Sequence, residues 1–454
     1  MNYFRINILM QKLMNRIITL IISIVIVFFT TLCGRKNNTI QVPIINIGSN
    51  IWNMEVINLS SYADDIRYIP LEEMPQNPIN MNSKIIMDCS DKYIIDSDGM
   101  TIILYDKNGR YLYKIGKQGR GPGEYNSLSY LRLLEDKVFV YDYSSDDLIE
   151  YNLDGTFAER HRSGFTAVDK YILHDVFIVN DSMILGSIDN VTGNLPYKAL
   201  VIDKQGNIKY SVPNYVSFKL ASGIKYLMSP GDASICKFDN KLFFKEFYND
   251  TIFQFDSQFS LLPSYVVDLG KYREPFIKRG MSWEKKEITK HIYLTNFFDV
   301  GTFIILICDY NMYFPSKRLT PKVIKIQGLK EHTLWINTNS MLGIYDKETG
   351  NVSFSQPTST DVFLSTTGFY NDIDGGPRFL PDKLINDSIM VMKLGFDELS
   401  ELIASKEFKE NMPKYDTKKK GLEILVDSLN RIGFNNTVYM FITLKTKKDL
   451  ESYN

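Results

Sequence analysis

The chain has 454 residues, with 52 Lys and Arg against 53 Asp and Glu, and 44% of it is hydrophobic. A formal charge of −1 excludes a protein that holds nucleic acid by neutralising phosphates. Four cysteines exclude a disulfide framework, and the apolar content excludes bulk disorder. The 28 Tyr and 28 Phe, together with many Ile and Val, point to β structure.

Ile17–Leu32 reads IITLIISIVIVFFTTL, an apolar stretch shorter than the roughly 20 residues a membrane-spanning helix needs. Lys12 and Arg16 precede it, as in a secretory signal, and Met14 offers a second, more compact start. Cys33 follows directly, then the polar Gly34-Arg35-Lys36-Asn37-Asn38. A cysteine so placed resembles a bacterial lipoprotein signal. The resemblance implies that residues 1–32 are removed and that Cys33 carries the lipid. Leu32 departs from the small residue usual before such a cysteine, and the alternative is an uncleaved anchor with Cys33 a bystander. The expected organisation is therefore a signal over 1–32, a tether and leader over 33–60, one large domain over 61–447 and a tail over 448–454. Cys89, Cys236 and Cys308 sit in apolar, strand-like contexts and read as buried free thiols.

From Ile66 onwards the chain is a succession of short apolar segments and turn signals. Ile102–Gly109 (IILYDKNG), Leu148–Gly155 (LIEYNLDG), Ala199–Gly206 (ALVIDKQG) and Leu342–Gly350 (LGIYDKETG) each read as a strand running into a tight turn. Thr251–Asp256 (TIFQFD) is a further copy that has lost its glycine. In each, Asp or Asn bonds its own backbone to start the turn, and Gly accepts the positive φ near its end. Positions 106, 152, 203 and 256 are spaced 46, 51 and 53 residues apart. A period near 45–50 with about four strands per repeat is the pattern of β-propeller blades.

The gap from Asp256 to Asp346 is 90 residues. Insertions explain it better than a hidden blade, with a charged stretch at Arg273–Lys290 and an irregular excursion at Tyr310–Glu331. Blades are expected to start near Ser83, Leu128, Leu173, Ile235, Thr295 and Thr360, six in number, with seven the alternative. Phe396–Lys409 and Lys418–Ile432 read as helices, the second with Leu422, Leu425, Val426 and Leu429 on one face. Val438–Leu444 reads as a strand returning into the last blade, joined there by Ile66–Leu71 from the start. The fold class is all-β, a six-bladed propeller with a small helical insertion near the C-terminus.

Four segments carry a family likeness: Ile66–Glu72 (IRYIPLE), Ile115–Tyr125 (IGKQGRGPGEY), Tyr248–Phe253 (YNDTIF) and Asn371–Pro377 (NDIDGGP). On these the chain resembles the six-bladed β-propeller lipoproteins of Bacteroidota, relatives of the NHL-repeat propellers, over about Ile66–Lys445. The resemblance implies an extracytoplasmic propeller, anchored at the outer membrane or periplasmic face, and no settled activity.

Gly116–Tyr125 lacks the helix and the GK[ST] or GxGxxG arrangement of a phosphate loop. Arg120 and Glu124 either project into the axial mouth to meet a ligand or belong to a crossover that bonds the next blade. Asp372, Asp374 and Arg378 either line the axial opening, where a polar ligand or Ca²⁺ would suit them, or form a tight acidic turn. The spacing is not that of an EF-hand, and no other cofactor is expected. His161, His174, His291 and His332 form no HxH or HExxH pair, although His161 and His174 come from adjacent blades. Trp283, in the charged stretch, is better placed for exposure than Trp335. The first functional reading is a tethered propeller that binds a ligand or partner (a glycan, a peptide or an envelope protein) at the axial mouth and the two excursions. The second is a metal-assisted lyase or hydrolase of the NHL-like kind, using axial carboxylates and His. No catalytic motif favours the second.

Overall fold

The computed structural model describes residues 42–445 except 74–85, 135, 146, 163–172, 181, 224, 226–232, 276–279, 281–290, 311–319, 325–331, 337–339 and 357–366. Six antiparallel blades of four strands follow one another along the chain. Blade 1 is Ile86–Cys89, Tyr93–Ser97, Ile102–Asp106 and Tyr111–Ile115; blade 2 is Leu128–Leu134, Lys137–Asp142, Asp147–Asn152 and Phe157–Arg162. Blade 3 is Leu173–Asn180, Met183–Ile188, Tyr197–Asp203 and Ile208–Pro213; blade 4 is Ala233–Phe238, Lys241–Glu246, Thr251–Phe255 and Leu261–Asp268. Blade 5 is Ile292–Asp299, Phe303–Tyr310, Ser340–Asp346 and Val352–Ser355; blade 6 is Lys383–Asn386, Ile389–Gly395, Thr437–Leu444 and, from the other end of the chain, Ala63–Pro70. The first strands of blades 1 to 5 lie side by side in that order. Lys383 of blade 6 closes the ring by pairing with Asp88 of blade 1 at 3.1 Å.

The middle strands carry continuous apolar runs because both faces of each blade are buried. Ile102 and Leu104 pack with Leu131, Val138 and Tyr151 of blade 2, while Ile103 and Tyr105 pack with Val391 and Tyr439 of blade 6. Val138 and Val140 turn towards blade 1, and Phe139 and Tyr141 towards blade 3. Alternation survives, but both partners are protein. That is why strands such as IILY and VFVY give no polar period.

Blades 1 to 5 start at 86, 128, 173, 233 and 292, near the expected positions, whereas the sixth starts at Lys383 rather than near Thr360. The 90-residue gap exceeds the repeat because of the long 269–291 crossover and an insertion over 311–339 between the second and third strands of blade 5, which carries a hairpin, Thr320–Ile324 with His332–Ile336. The C-terminal helices, Phe396–Ala404, Lys406–Glu410 and Asp416–Arg431, likewise interrupt blade 6 between its second and third strands. Leu422, Val426 and Leu429 form the buried face of the longest. Cys89, Cys236 and Cys308 are free thiols, and burial pushes the first two up to about 12.

The repeated turns work as their composition implies. The Asp106 carboxylate accepts from the amides of Asn108 (2.8 Å) and Arg110 (3.0 Å), and Gly109 closes the turn at φ +83°. In blade 4 the left-handed position is taken by Phe259 (φ +56°), whose ring packs against Tyr210 of blade 3 at 5.0 Å. Packing across the seam thus offsets a strained backbone. Gly109 meets a second demand, since a Cβ there would run into the Pro70 carbonyl of the closing strand. Gly109→Ala is expected to cost about 2–4 kcal/mol, the sum of the left-handed penalty and the overlap. A urea midpoint unchanged within error would contradict this.

The stretch ahead of the closing strand belongs to the propeller wall. Ile44–Asn46 adds in parallel to the outer strand of blade 4 (Ile44 opposite Val266), and Met54–Glu55 adds in parallel to the outer strand of blade 5. Asn58 then bridges Tyr370 before the chain enters blade 6.

Candidate functional site

In an antiparallel meander, connections alternate between the two ends of the strands. First-to-second and third-to-fourth turns therefore share one face of the propeller; second-to-third loops and the crossovers between blades share the other. On the first face the turns are short: 90–92, 107–110, 153–156, 239–240, 300–302 and 347–351 are typical. Every long connection leaves the second face, including 116–127, 189–196, 214–232, 269–291, 311–339, 356–382 and the helical 396–436. The exposed large apolar side chains follow the same division. Met100, Tyr143, Tyr215, Met412, Tyr415, Ile424 and Ile432 stand on loop-face connections, and the others lie on outer strands or the leader. Among the described residues, none stands in a tight turn of the opposite face.

A cleft open to solvent lies on this face between blades 4 and 5. Its floor is Lys245, at the end of the second strand of blade 4, and Ile292–Leu294 from the first strand of blade 5. Tyr248-Asn249-Asp250 and Arg273-Glu274 form the walls. Arg273 pairs with Asp250 at 2.9 Å, the Tyr293 hydroxyl donates to Glu274 at 2.9 Å, and Phe247 stacks on Tyr293 at 4.7 Å. Lys245 is 4% exposed and donates to the Glu246 carbonyl at 2.6 Å. Burial pushes its ammonium down to about 8. Trace acylation followed by peptide mass spectrometry is expected to give Lys245 a titration midpoint near pH 8, against about 10.4 for an ordinary lysine. The unfolded chain binds the proton between these values and the folded chain does not, so Lys245 adds stability as pH rises through that window. A midpoint above pH 10 would contradict the burial.

The glycine-rich segment forms the crossover from blade 1 to blade 2. Lys117–Gln118 pairs in parallel with Glu124–Tyr125. Glu124 accepts from the Gly121 amide at 2.8 Å and pairs with Lys117 at 2.7 Å, a hydrogen-bonded charge pair that lowers its carboxyl below the usual range. Gly116 adopts φ +57°, and a Cβ there would strike the Tyr151 ring. Arg160, on the outer strand of blade 2, donates to the carbonyls of Pro122 (2.9 Å) and Glu124 and pairs with Asp147 at 2.6 Å. Arg120 is exposed.

Asn371–Pro377 forms a buried polar knot. Asp374 Oδ1 accepts from Asn371 Nδ2 (2.6 Å) and the Gly376 amide (2.8 Å) and lies 3.3 Å from the Tyr68 hydroxyl. Burial raises the Asp374 carboxyl and drives the Tyr68 phenol well up. Asp372 accepts from the amide (2.9 Å) and hydroxyl (2.5 Å) of Ser60. The backbone of Asp372 and Ile373 receives the amides of Lys414 and Tyr415 ahead of the longest helix. Arg378 donates to the Gln356 carbonyl at 2.9 Å and lies over the Tyr370 ring. The five residues singled out in the sequence thus fall at two separate places: Arg120 and Glu124 at the blade 1–2 crossover, and Asp372, Asp374 and Arg378 where the leader, blade 6 and the helices meet. The Asp374 Oδ1 already accepts two amide hydrogens.

A model of the family described as Domain of unknown function (DUF4934) matches residues 42–430. The chain belongs to this family. Among solved structures, a Bacteroides fragilis protein described as exported is 14% identical, with 89% of this chain and all of that one covered and a TM-score of 0.57. A DUF4221 member from Bacteroides vulgatus is 13% identical over 87% of this chain and 98% of its own, with a TM-score of 0.48. A virginiamycin B lyase from Staphylococcus aureus is 13% identical over 65% of this chain and 89% of its own, at 0.32, too low to carry an argument about chemistry. No curated protein matches the chain.

In this DUF4934 protein His161 lies on the outermost strand of blade 2, away from the axis, beside Glu150 and Glu159. His291 heads the first strand of blade 5. The side chains of His174 and His332, like Trp283 and Cys33, lie outside the described residues. No helix among the described residues is long and apolar enough to cross a membrane. Lys245 escaped the reading of the sequence, although a lysine closing the apolar run Leu242-Phe243-Phe244 just before YNDT was a usable signal.

Proposed function

We propose that this protein is a membrane-tethered, extracytoplasmic propeller that binds a ligand or partner protein through its loop-rich face. One observation carries the reading: the long connections leave that face, and its connections carry seven exposed large apolar side chains, while the described residues of the tight turns opposite present none. A rigid ring that displays irregular loops on one side suits recognition, and exposed Tyr and Met beside them supply contact area. Lipid on Cys33 supplies the tether, and the fold is shared with a protein described as exported. A glycan, a peptide or an envelope protein would each suit a surface that mixes Tyr, Met and Ile with the charged cleft at Lys245.

The test is affinity capture from envelope extracts and a glycan array, with wild type and a variant lacking 276–290 and 311–339. Loss of binding in the variant supports the surface; unchanged binding removes it. Mass spectrometry of the mature N-terminus tests the tether, and an unmodified Cys33 in an uncleaved chain would sink it.

A further inference from the structure

We propose that Glu150, Glu159 and His161 form a Zn²⁺ site in the seam between blades 2 and 3, for which the Lys204 ammonium stands in as the resident cation. Glu150 and Glu159 are directly opposite each other on neighbouring strands, and His161 is two residues beyond Glu159. Side chains two apart share a sheet face, so register alone brings three donors together. Their ligating atoms all lie within 4.8 Å of one another. His161 Nε2 is 2.8 Å from Glu150 Oε1 and 3.5 Å from Glu159 Oε2.

Two carboxylates directly opposite on one sheet face repel, and the pair calls for a cation. Lys204 answers from the third-to-fourth turn of blade 3, with its Nζ 2.5 Å from Glu150 Oε1, the oxygen His161 also faces. It answers only in part. An ammonium brings one charge against two, and among the described residues the only carboxylate it is paired with is Glu150, while the same Nζ lies 5.6 Å from the centre of the Phe139 ring. A divalent ion would neutralise both carboxylates and take the imidazole as a true ligand.

The donor set chooses among cations. One imidazole nitrogen and two carboxylates suit Zn²⁺, with a fourth position left for water, whereas Ca²⁺ takes oxygen ligands alone. Glu150 and His161 are buried and fixed, and Glu159, with its side chain 64% exposed, gives the ion a way in. The site lies on the outer strands of blade 2, beside a tight turn of blade 3 and off the loop-rich face. A metal here would brace the seam.

The experiment is calorimetric titration of the detergent-solubilised full chain with ZnCl₂, and separately with CaCl₂. One Zn²⁺ per chain and no Ca²⁺ heat are expected. Glu159→Gln and His161→Gln should each weaken Zn²⁺ at least tenfold, and Lys204→Met should tighten it several-fold by removing the competitor. Glu159 is exposed, so its variant keeps the fold and the test valid if His161→Gln does not; circular dichroism checks both. No Zn²⁺ heat from wild type, or an affinity unchanged in Glu159→Gln, would overturn the site. An affinity unchanged or weakened in Lys204→Met would overturn the role given to the lysine.

Discussion

A chain beginning at residue 62 is expected to be recovered unfolded or aggregated, although it keeps all six blades. The segment removed carries Ile45, Ile47, Ile51, Ile57 and Leu59, each 4% exposed or less. Burying such a side chain contributes about 1.5–3 kcal/mol. Five together come to roughly 7–15 kcal/mol, as large as the whole stability of a typical domain. The deletion also leaves the outer edges of blades 4 and 5 as bare strands, which invites aggregation. Circular dichroism and size exclusion check the result, and a synthetic peptide of residues 42–61 should restore part of the fold. A monomeric deletion variant with native unfolding would show that the segment is only a leader.

Asn371→Ala is expected to cost about 3 kcal/mol in chemical denaturation. Asn371 and Asp374 are each 1% exposed, and the Asn371 amide donates to Asp374 and approaches the Pro377 carbonyl and the Tyr68 hydroxyl. Its removal leaves a buried carboxyl short of a donor, and such a group costs about 1–3 kcal/mol or more when charged. The same knot holds Ser60 and the approach to the longest helix, so the loss spreads to the closing seam. A shift below 0.5 kcal/mol would mean that water replaces the amide and that the knot is not buried in solution.

The blades were legible because their turns repeat. Asp or Asn at 106, 152, 203 and 256 marks the same corner of four successive blades, and an insertion changes the spacing without erasing it. The closure by both chain ends was legible from IRYIPL and VYMFITL, two strand patterns with no partner in their own neighbourhoods. The start of the last blade was missed because 356–382 is rich in turn residues whose bonds run to Ser60 and Tyr68, some 300 residues away. The glycine-rich crossover was visible as a backbone device, yet its anchor Arg160 was not, since nothing local links an outer-strand arginine to a loop 38 residues earlier. The zinc donors were missed for a related reason: Glu150 meets Glu159 and His161 only through strand register. Lys245 became a feature only when blade 5 covered it.

The most direct test of the proposed function is photo-crosslinking in the organism that makes the protein. A photoreactive amino acid is placed at Tyr143, Tyr215 or Met412 on the loop-rich face and at Asn108 or Glu348 in the opposite turns. The account predicts discrete higher-mass adducts from the first three positions and none from the last two. Adducts from Asn108 or Glu348, with the loop-face positions silent, would contradict it.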